Sequence, residues 1–125
     1  MGQQNLEKEK EAGLKQVRLN FLTNAGYLIA DDRVDQSFDM LDNFIGSVDR
    51  DSSVYRELLE FRDSVHKSIS DAKVKLKQQQ EKNLRIPEGK DSYDSEIYFI
   101  TRKGCRALYD YCFANALKFD LIPKE

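Results

Sequence analysis

Apolar residues recur every three or four positions along most of the chain, with charged and polar residues between them. This spacing places the apolar side chains on one face of a helix, and it predicts helices over roughly residues 5–30, 33–48 and 54–83. The third pattern is the most regular, with apolar positions at Val54, Leu58, Phe61, Val65, Ile69, Ala72 and Leu76. The stretch KQQQEKN that follows Leu76 has no apolar face. The end of this long helix therefore either projects into solvent or is covered by a partner.

The last third of the chain fits two structures, and it follows the loop-like stretch LRIPEGKDSYD at residues 84–94. In the first, Asp91 or Ser92 caps one long helix whose apolar face contains Tyr93, Ile97, Ile100, Gly104, Leu108 and Tyr111. In the second, the β-favouring residues 97–100 form a strand, and Thr101 caps a helix over residues 102–119. We predict the all-α fold, a small bundle of about four helices with a long third helix. The alternative is an α+β winged helix with a short hairpin near residues 84–100.

Length and composition agree with one small globular domain. The chain has 125 residues, of which 40% are hydrophobic and 34% charged. Only two prolines and six glycines interrupt it, which favours long helices over many short strands. Residues 1–10 and 121–125 are expected to fray, because chain ends are poorly tied to a core. We therefore expect residues 1–125 to form a single domain.

The cysteines and the lack of targeting signals bear on location. Cys105 and Cys112 are seven residues apart, which on one helix separates their Cα atoms by roughly 10 Å. That exceeds the disulfide reach of about 7 Å, so we expect two buried thiols and a reducing compartment. The chain has neither a long uncharged apolar stretch nor a signal-like N-terminus. We expect an intracellular, cytoplasmic protein that does not enter a membrane.

Motifs for catalysis are missing from the sequence. His66 is the only histidine, and no serine or cysteine stands in a nucleophile-elbow motif, so a catalytic triad cannot be built from the sequence. One histidine and two cysteines are also too few ligands for a structural zinc site. The sequence has no phosphate-binding glycine loop, dinucleotide fingerprint or zinc-protease motif. We expect a protein that is not an enzyme and that uses no cofactor, metal or small-molecule substrate.

The segment DRDSSVYRELLE at residues 49–60 has the acidic spacing of a calcium-binding EF-hand loop. The sharp turn of that loop needs glycine at its sixth position, where this chain has Val54. Val54 also fits the apolar pattern of the third helix. We therefore favour the alternative that this segment is the acidic start of a helix, capped by Asp51, Ser52 or Ser53.

Charge is unevenly distributed, although the net charge is only −2. Residues 31–63 hold ten acidic and four basic residues, and residues 64–90 hold three acidic and seven basic residues. The acidic part contains a helical carboxylate stripe at Asp31, Asp35, Asp39 and Asp42. The basic part contains a run at Lys73, Lys75, Lys77, Lys82, Arg85 and Lys90. The stripe is either a solvated face or a site for cations or for a basic partner, such as the lysine-rich end of the third helix in a neighbouring subunit. The run is either positive charge that favourably meets the dipole at a helix C-terminus, or a contact with phosphates or with an acidic partner.

The sequence EIYFITRKGCRALYDY at residues 96–111 resembles one stretch of the winged-helix transcriptional regulators. The matching residues are Tyr98, Phe99, Ile100, Thr101, Arg102, Lys103, Gly104 and Leu108. In that family the last wing strand often ends in an aromatic, an aliphatic and a threonine, before a C-terminal helix that frequently dimerises. The resemblance implies a wing hairpin before this helix. It also implies that the lysine-rich end of the third helix acts as the recognition helix in DNA binding.

Two functions follow from these patterns. The first is a non-enzymatic helical protein that binds another protein chain, most of all a second copy of itself, as an assembly or adaptor protein. Its candidate interaction surface is the aromatic set Tyr93, Tyr98, Phe99, Tyr109, Tyr111 and Phe113. The alternative is a winged-helix DNA-binding regulator, in which Arg102 and Lys103 join the basic run in contacting nucleic acid.

Overall fold

A computed structural model describes residues 2–83 and 91–124, and it describes the side chains of residues 9–79 and 94–124. Its four helices are α1 (Gly2–Ala30), α2 (Val34–Gly46), α3 (Ser53–Asn83) and α4 (Asp91–Lys118). No strand occurs in this described part of the chain. The predicted all-α bundle with a long third helix is therefore confirmed. None of the helices so described is both long enough and apolar enough to cross a membrane.

The helices α1 and α2 form an antiparallel hairpin. Near its closed end, the Ser37 hydroxyl donates a 2.8 Å hydrogen bond to the Ala25 carbonyl. Near its open end, the Arg18 guanidinium donates a 3.1 Å hydrogen bond to the Ser47 carbonyl. The chain therefore runs up α1 and back down α2, as expected for two helices joined by a short turn.

The helices α3 and α4 form the second antiparallel hairpin. The rings of Phe61 and Tyr111 stack with centroids 4.1 Å apart. Further along, Gly104 lets the two helices approach closely, since a Cβ atom there would lie 3.0 Å from Val65 Cγ1 and 3.1 Å from Ile69 Cδ1. Helix α4 also packs against α2 and α1, whereas α1 and α3 do not contact each other within the described residues.

The turns that end α1 and α4 share one geometry, in which an aspartate adopts a left-handed backbone conformation. Asp32 has φ 62° and Asp120 has φ 56°. After α1 the Arg33 N–H donates to the Leu28 carbonyl at 2.8 Å, and after α4 the Leu121 N–H makes the equivalent 2.8 Å bond. This is the Schellman motif, which satisfies carbonyls that a helix end leaves without partners.

Residues 96–100 are helical, so the alternative with a hairpin strand there is wrong. Thr101 lies inside α4, where its hydroxyl donates a 2.6 Å hydrogen bond to the Ile97 carbonyl, a common arrangement for threonine within a helix. Ile100 packs against the core, and this contact outweighs the β-preference of the local sequence. The wing strand implied by the winged-helix resemblance is therefore helix at these positions. Residues 91–95 of the predicted hairpin are helical as well, and residues 84–90 lie outside the described residues.

The segment 49–60 is a turn followed by the first turns of α3. The Ser52 hydroxyl accepts a 3.1 Å hydrogen bond from the Tyr55 N–H, which is the geometry of a helix cap. Val54 is buried, as the helical pattern requires. The interpretation as a capped helix start is therefore confirmed. In the part of the chain that the structure describes, no cluster of three or more His, Cys, Asp or Glu side chains is suited to hold a metal ion.

The core lies between the two hairpins, and its two cysteines are packing residues. The largest fully buried side chains are Leu22, Leu41, Phe44, Ile45, Leu58 and Leu108. Cys105 and Cys112 are unpaired and fully buried beside them, as predicted. Burial raises the pKa of the Cys112 thiol to about 12, and the nearby Asp42 carboxylate acts in the same direction. Burial likewise raises the pKa of Cys105.

A buried arginine ties three parts of the chain together at the open end of the α1–α2 hairpin. The Arg18 side chain is only 5% exposed and pairs with Glu11 at 3.3 Å. Besides its bond to Ser47, it donates a 3.2 Å hydrogen bond to the Leu121 carbonyl beyond α4. Charge-assisted bonds of this kind are about twice as strong as neutral ones. Arg18 therefore links α1 to the end of α2 and to the C-terminal turn.

The α3–α4 hairpin extends beyond the turn between α1 and α2. Ile69 is the last buried residue of α3, and Cys105 is the first of α4 among the described side chains. From Ile69 to Asn83 a helix advances about 21 Å, since each residue adds roughly 1.5 Å. The polar end predicted for the third helix therefore projects from the bundle together with the start of α4.

Candidate interaction surface

The outer face of α4 carries two large apolar side chains that the bundle leaves uncovered. Phe99 is 65% exposed and Leu117 is 59% exposed. Arg106 and Asp110 lie between them on the same side of the helix, because the four positions are separated by seven, four and seven residues. We call Phe99, Arg106, Asp110 and Leu117 the α4 stripe. Its two ends are apolar and its centre is charged.

The two charges at the centre of the α4 stripe pair with each other along the helix. Arg106 Nε lies 3.5 Å from Asp110 Oδ1, and the side chains are 64% and 63% exposed. An exposed pair of this type contributes only about 0.3–0.5 kcal/mol. Both side chains can therefore change partners at little cost when another charged surface approaches.

A groove of about 460 Å³ lies beside the N-terminal half of the α4 stripe, between α4 and the end of α1. Its apolar lining comes from Ile29, Phe99 and Ala107. Charged side chains surround this lining, namely the basic Arg102, Lys103 and Arg106 and the acidic Asp110. An apolar side chain accompanied by a carboxylate has the chemistry that fits such a groove.

The turn between α1 and α2 is held against α4 next to the groove. Arg102 Nε lies 3.8 Å from Asp32 Oδ1. The Tyr98 hydroxyl donates a hydrogen bond to the same carboxylate, and this bond raises the pKa of Tyr98. The left-handed conformation of Asp32 thus presents its carboxylate to two side chains of α4. Tyr98 serves the fold at this point, whereas its neighbour Phe99 contributes to the groove.

Three of the six aromatic residues predicted as an interaction surface pack within the chain. Tyr111 stacks on Phe61, with an angle of 7° between the rings. Tyr109 and Phe113 are half-buried, with ring centroids 6.0 Å apart. The side chain of Tyr93 lies outside those described. Of the predicted aromatic residues whose side chains are described, the two most exposed are therefore Tyr98 and Phe99.

The predicted basic run lies partly on the projecting end of α3 and partly outside the described residues. Its described members are all exposed: Lys73, Lys75 and Lys77. Those outside the described side chains are Lys82, Arg85 and Lys90. Arg102 and Lys103 are exposed on α4 and, unlike the three described lysines of the run, line the groove. DNA binding by these residues stays a prediction, which a titration of duplex DNA at increasing salt would test.

The predicted carboxylate stripe lies on α2 and on the turn before it. Asp35 and Asp39 are exposed. Asp31 pairs with Arg33 at 3.1 Å, and Asp42 pairs with Arg62 of α3 at 3.5 Å. None of the four carboxylates is among the described residues that line the groove on α4.

Several residues of this surface were not predicted from the sequence. They are Ile29, Arg106, Asp110 and Leu117. The spacing of the α4 stripe is visible in the sequence, but the same spacing also marks faces that are buried in the core. Only the packing of α4 on three other helices distinguishes its outer face from its inner face.

No protein-family model matches the chain, and comparison with curated proteins and with solved structures likewise finds no match.

Proposed function

We propose that this chain is a non-enzymatic helical protein that acts by binding another protein chain, most of all a second copy of itself. The observation that carries the proposal is the exposure of Phe99 and Leu117 on one face of α4. Fully burying a leucine or phenylalanine side chain contributes roughly 1.5–3 kcal/mol. One of the two, Phe99, borders the apolar lining of the groove, and exposed apolar surface rimmed by charged residues marks contact sites.

The chemistry of the groove supports binding over catalysis. Its described lining combines aliphatic, aromatic and basic side chains with one carboxylate, Asp110, which is 63% exposed and paired with Arg106. It includes no serine, cysteine or histidine that this carboxylate could activate as a nucleophile. The two cysteine thiols lie in the core, where burial raises the pKa of each, so they stay protonated and unreactive at neutral pH.

The proposal is tested by measuring the molar mass of the protein in solution as a function of concentration, by light scattering and by sedimentation. The monomer has a mass of 14.5 kDa. We expect the mass to rise above this value as concentration increases. A mass that stays at the monomer value up to millimolar protein would refute self-association.

The substitution Phe99→Ser is the matching test of the surface. We expect it to weaken self-association by about tenfold or more, which corresponds to about 1.4 kcal/mol. Val74→Ser is the control, because Val74 is 55% exposed on α3 and does not line the groove, and its replacement should leave association unchanged. If both variants weaken self-association equally, the contact lies at the projecting end of the α3–α4 hairpin and not on the α4 stripe.

A further inference from the structure

We infer that two copies of this chain pair through their α4 stripes in an antiparallel, two-fold symmetric contact. In this contact Phe99 of each copy packs against Leu117 of the other, and Arg106 of each copy pairs with Asp110 of the other. The inference rests on the proposed function, and it specifies the surface and the symmetry of the self-association.

The spacing of the α4 stripe is symmetric about its centre. Position 108 lies nine residues from both Phe99 and Leu117, and two residues from both Arg106 and Asp110. When two copies of one helix pack antiparallel, each residue faces the one that lies equally far on the other side of the centre. A two-fold contact centred at position 108 therefore brings all four members of the stripe into matching pairs, as an isologous interface requires.

The apolar ends of the stripe provide the attraction in this arrangement. Phe99 and Leu117 lie roughly 27 Å apart along the helix, so one copy cannot bring its own two side chains together. The antiparallel contact covers Phe99 of each copy with Leu117 of the other copy, so the same apolar contact forms twice. Ile29 and Ala107, which line the groove beside Phe99, would enclose the arriving leucine further.

The charges at the centre select the antiparallel direction. A parallel contact in register would place Arg106 against Arg106 and Asp110 against Asp110, and facing like charges are destabilising. The antiparallel contact instead forms two Arg–Asp pairs across the interface. The exposed pair within each helix is weak, so little is lost when the side chains turn to the other copy.

A contact between the basic residues of α4 and the carboxylates on α2 is the main competing arrangement. It would join exposed charges such as Lys103 and Asp39, and pairs of this kind contribute little in water. It would also leave Phe99 and Leu117 exposed to solvent. The self-complementary α4 stripe accounts for both the charged and the apolar side chains.

An exchange of charge between two variants tests this inference. In Arg106→Asp, the centre of the stripe carries only acidic side chains, and in Asp110→Arg it carries only basic ones. We expect each variant alone to self-associate about tenfold more weakly than the wild type, a change of about 1.4 kcal/mol. An equimolar mixture should recover association through 1:1 heterodimers, which native mass spectrometry distinguishes because the two masses differ. Circular dichroism confirms that both variants remain helical.

Three outcomes would overturn the inference. If the wild type associates but the mixture does not recover, the two-fold antiparallel contact is wrong and the proposed function stands. If Asp110→Arg alone associates more strongly than the wild type, α4 binds an acidic surface such as that of α2 instead. If the wild type is monomeric at every concentration, both the inference and the proposed function fail.

Discussion

Arg18 is expected to contribute more to stability than any other charged side chain described here, and replacing it by methionine isolates that contribution. Methionine retains an unbranched apolar stem in the buried site but cannot donate to the carbonyls of Ser47 and Leu121. The variant therefore removes these two hydrogen bonds, together with the 3.3 Å bond to the more exposed Glu11 carboxylate, while largely preserving the packing. It also removes a buried positive charge whose Nε lacks a partner among the described residues.

The expected loss follows from these contacts. A hydrogen bond to a charged group contributes about 1.5–3 kcal/mol, so two of them amount to about 3–6 kcal/mol. Removing the partly unsatisfied charge offsets part of this lost stability, because burying a charge is itself unfavourable. We expect a net loss of about 3 kcal/mol in the free energy of unfolding for Arg18→Met.

Urea unfolding followed by circular dichroism measures this loss. With a urea dependence of about 1.5–2 kcal/mol per molar, the midpoint should fall by roughly 1.5–2 M. All samples must have one protein concentration, since self-association stabilises the folded state. Lys15→Met is the control, because Lys15 forms a more exposed pair with Asp120 at 3.1 Å and should cost less than about 1 kcal/mol. A midpoint for Arg18→Met at or above that of the wild type would refute the reasoning.

Three further predictions concern the core, the helix contacts and the helix ends. Because burial raises the pKa of Cys112 to about 12, while an unfolded thiol titrates near about 8.5, the unfolded chain loses this proton first as pH rises. The contribution of this group to the free energy of unfolding is therefore constant below about pH 8.5 and falls by up to about 1.4 kcal/mol per pH unit above it. Measured by urea unfolding, the stability of Cys112→Ala should fall less steeply with rising pH than that of the wild type, and equal slopes would contradict this. Gly104→Ala should lower the melting temperature because its Cβ would lie 3.0 Å from Val65. Gly13→Ala, whose Cβ would have nothing within 4 Å, should raise the melting temperature, because alanine stabilises a helix by up to about 1 kcal/mol relative to glycine. Equal increases in the two variants would show that α3 and α4 are not in close contact. Asp120→Gly should melt at a higher temperature than Asp120→Ala, because only glycine adopts a φ of 56° without strain, and the reverse order would argue against the left-handed turn.

The helices were predictable from the sequence because the apolar spacing is a local property. The predicted third helix ended near Asn83, where α3 ends, and Ser52 was among the three residues proposed to cap it. The choice between strand and helix at residues 96–100 was not settled locally, because the β-preference of Ile97 and Tyr98 opposes the helical spacing. Packing of α4 on the other helices decides it in favour of the helix.

The surface was less predictable than the fold. Aromatic composition marked Phe99 correctly as exposed, but it marked Tyr111 equally, and Tyr111 stacks inside the α3–α4 hairpin. The sequence could not separate them, because exposure depends on which face of α4 meets α3. Leu117 was missed for the same reason, since an isolated leucine near a helix end is more often buried than exposed.

The pattern of contacts between the helices also bears on how quickly the chain folds. The most extensive contacts join helices that are neighbours in sequence, α1 with α2 and α3 with α4. Such local contacts need little loop closure, and helical proteins dominated by them fold in microseconds to milliseconds. The bonds from Lys15 and Arg18 to the C-terminal turn span more than 100 residues. We therefore expect the two hairpins to form early and these bonds to close last, so that substitutions at Arg18 accelerate unfolding more than they slow folding.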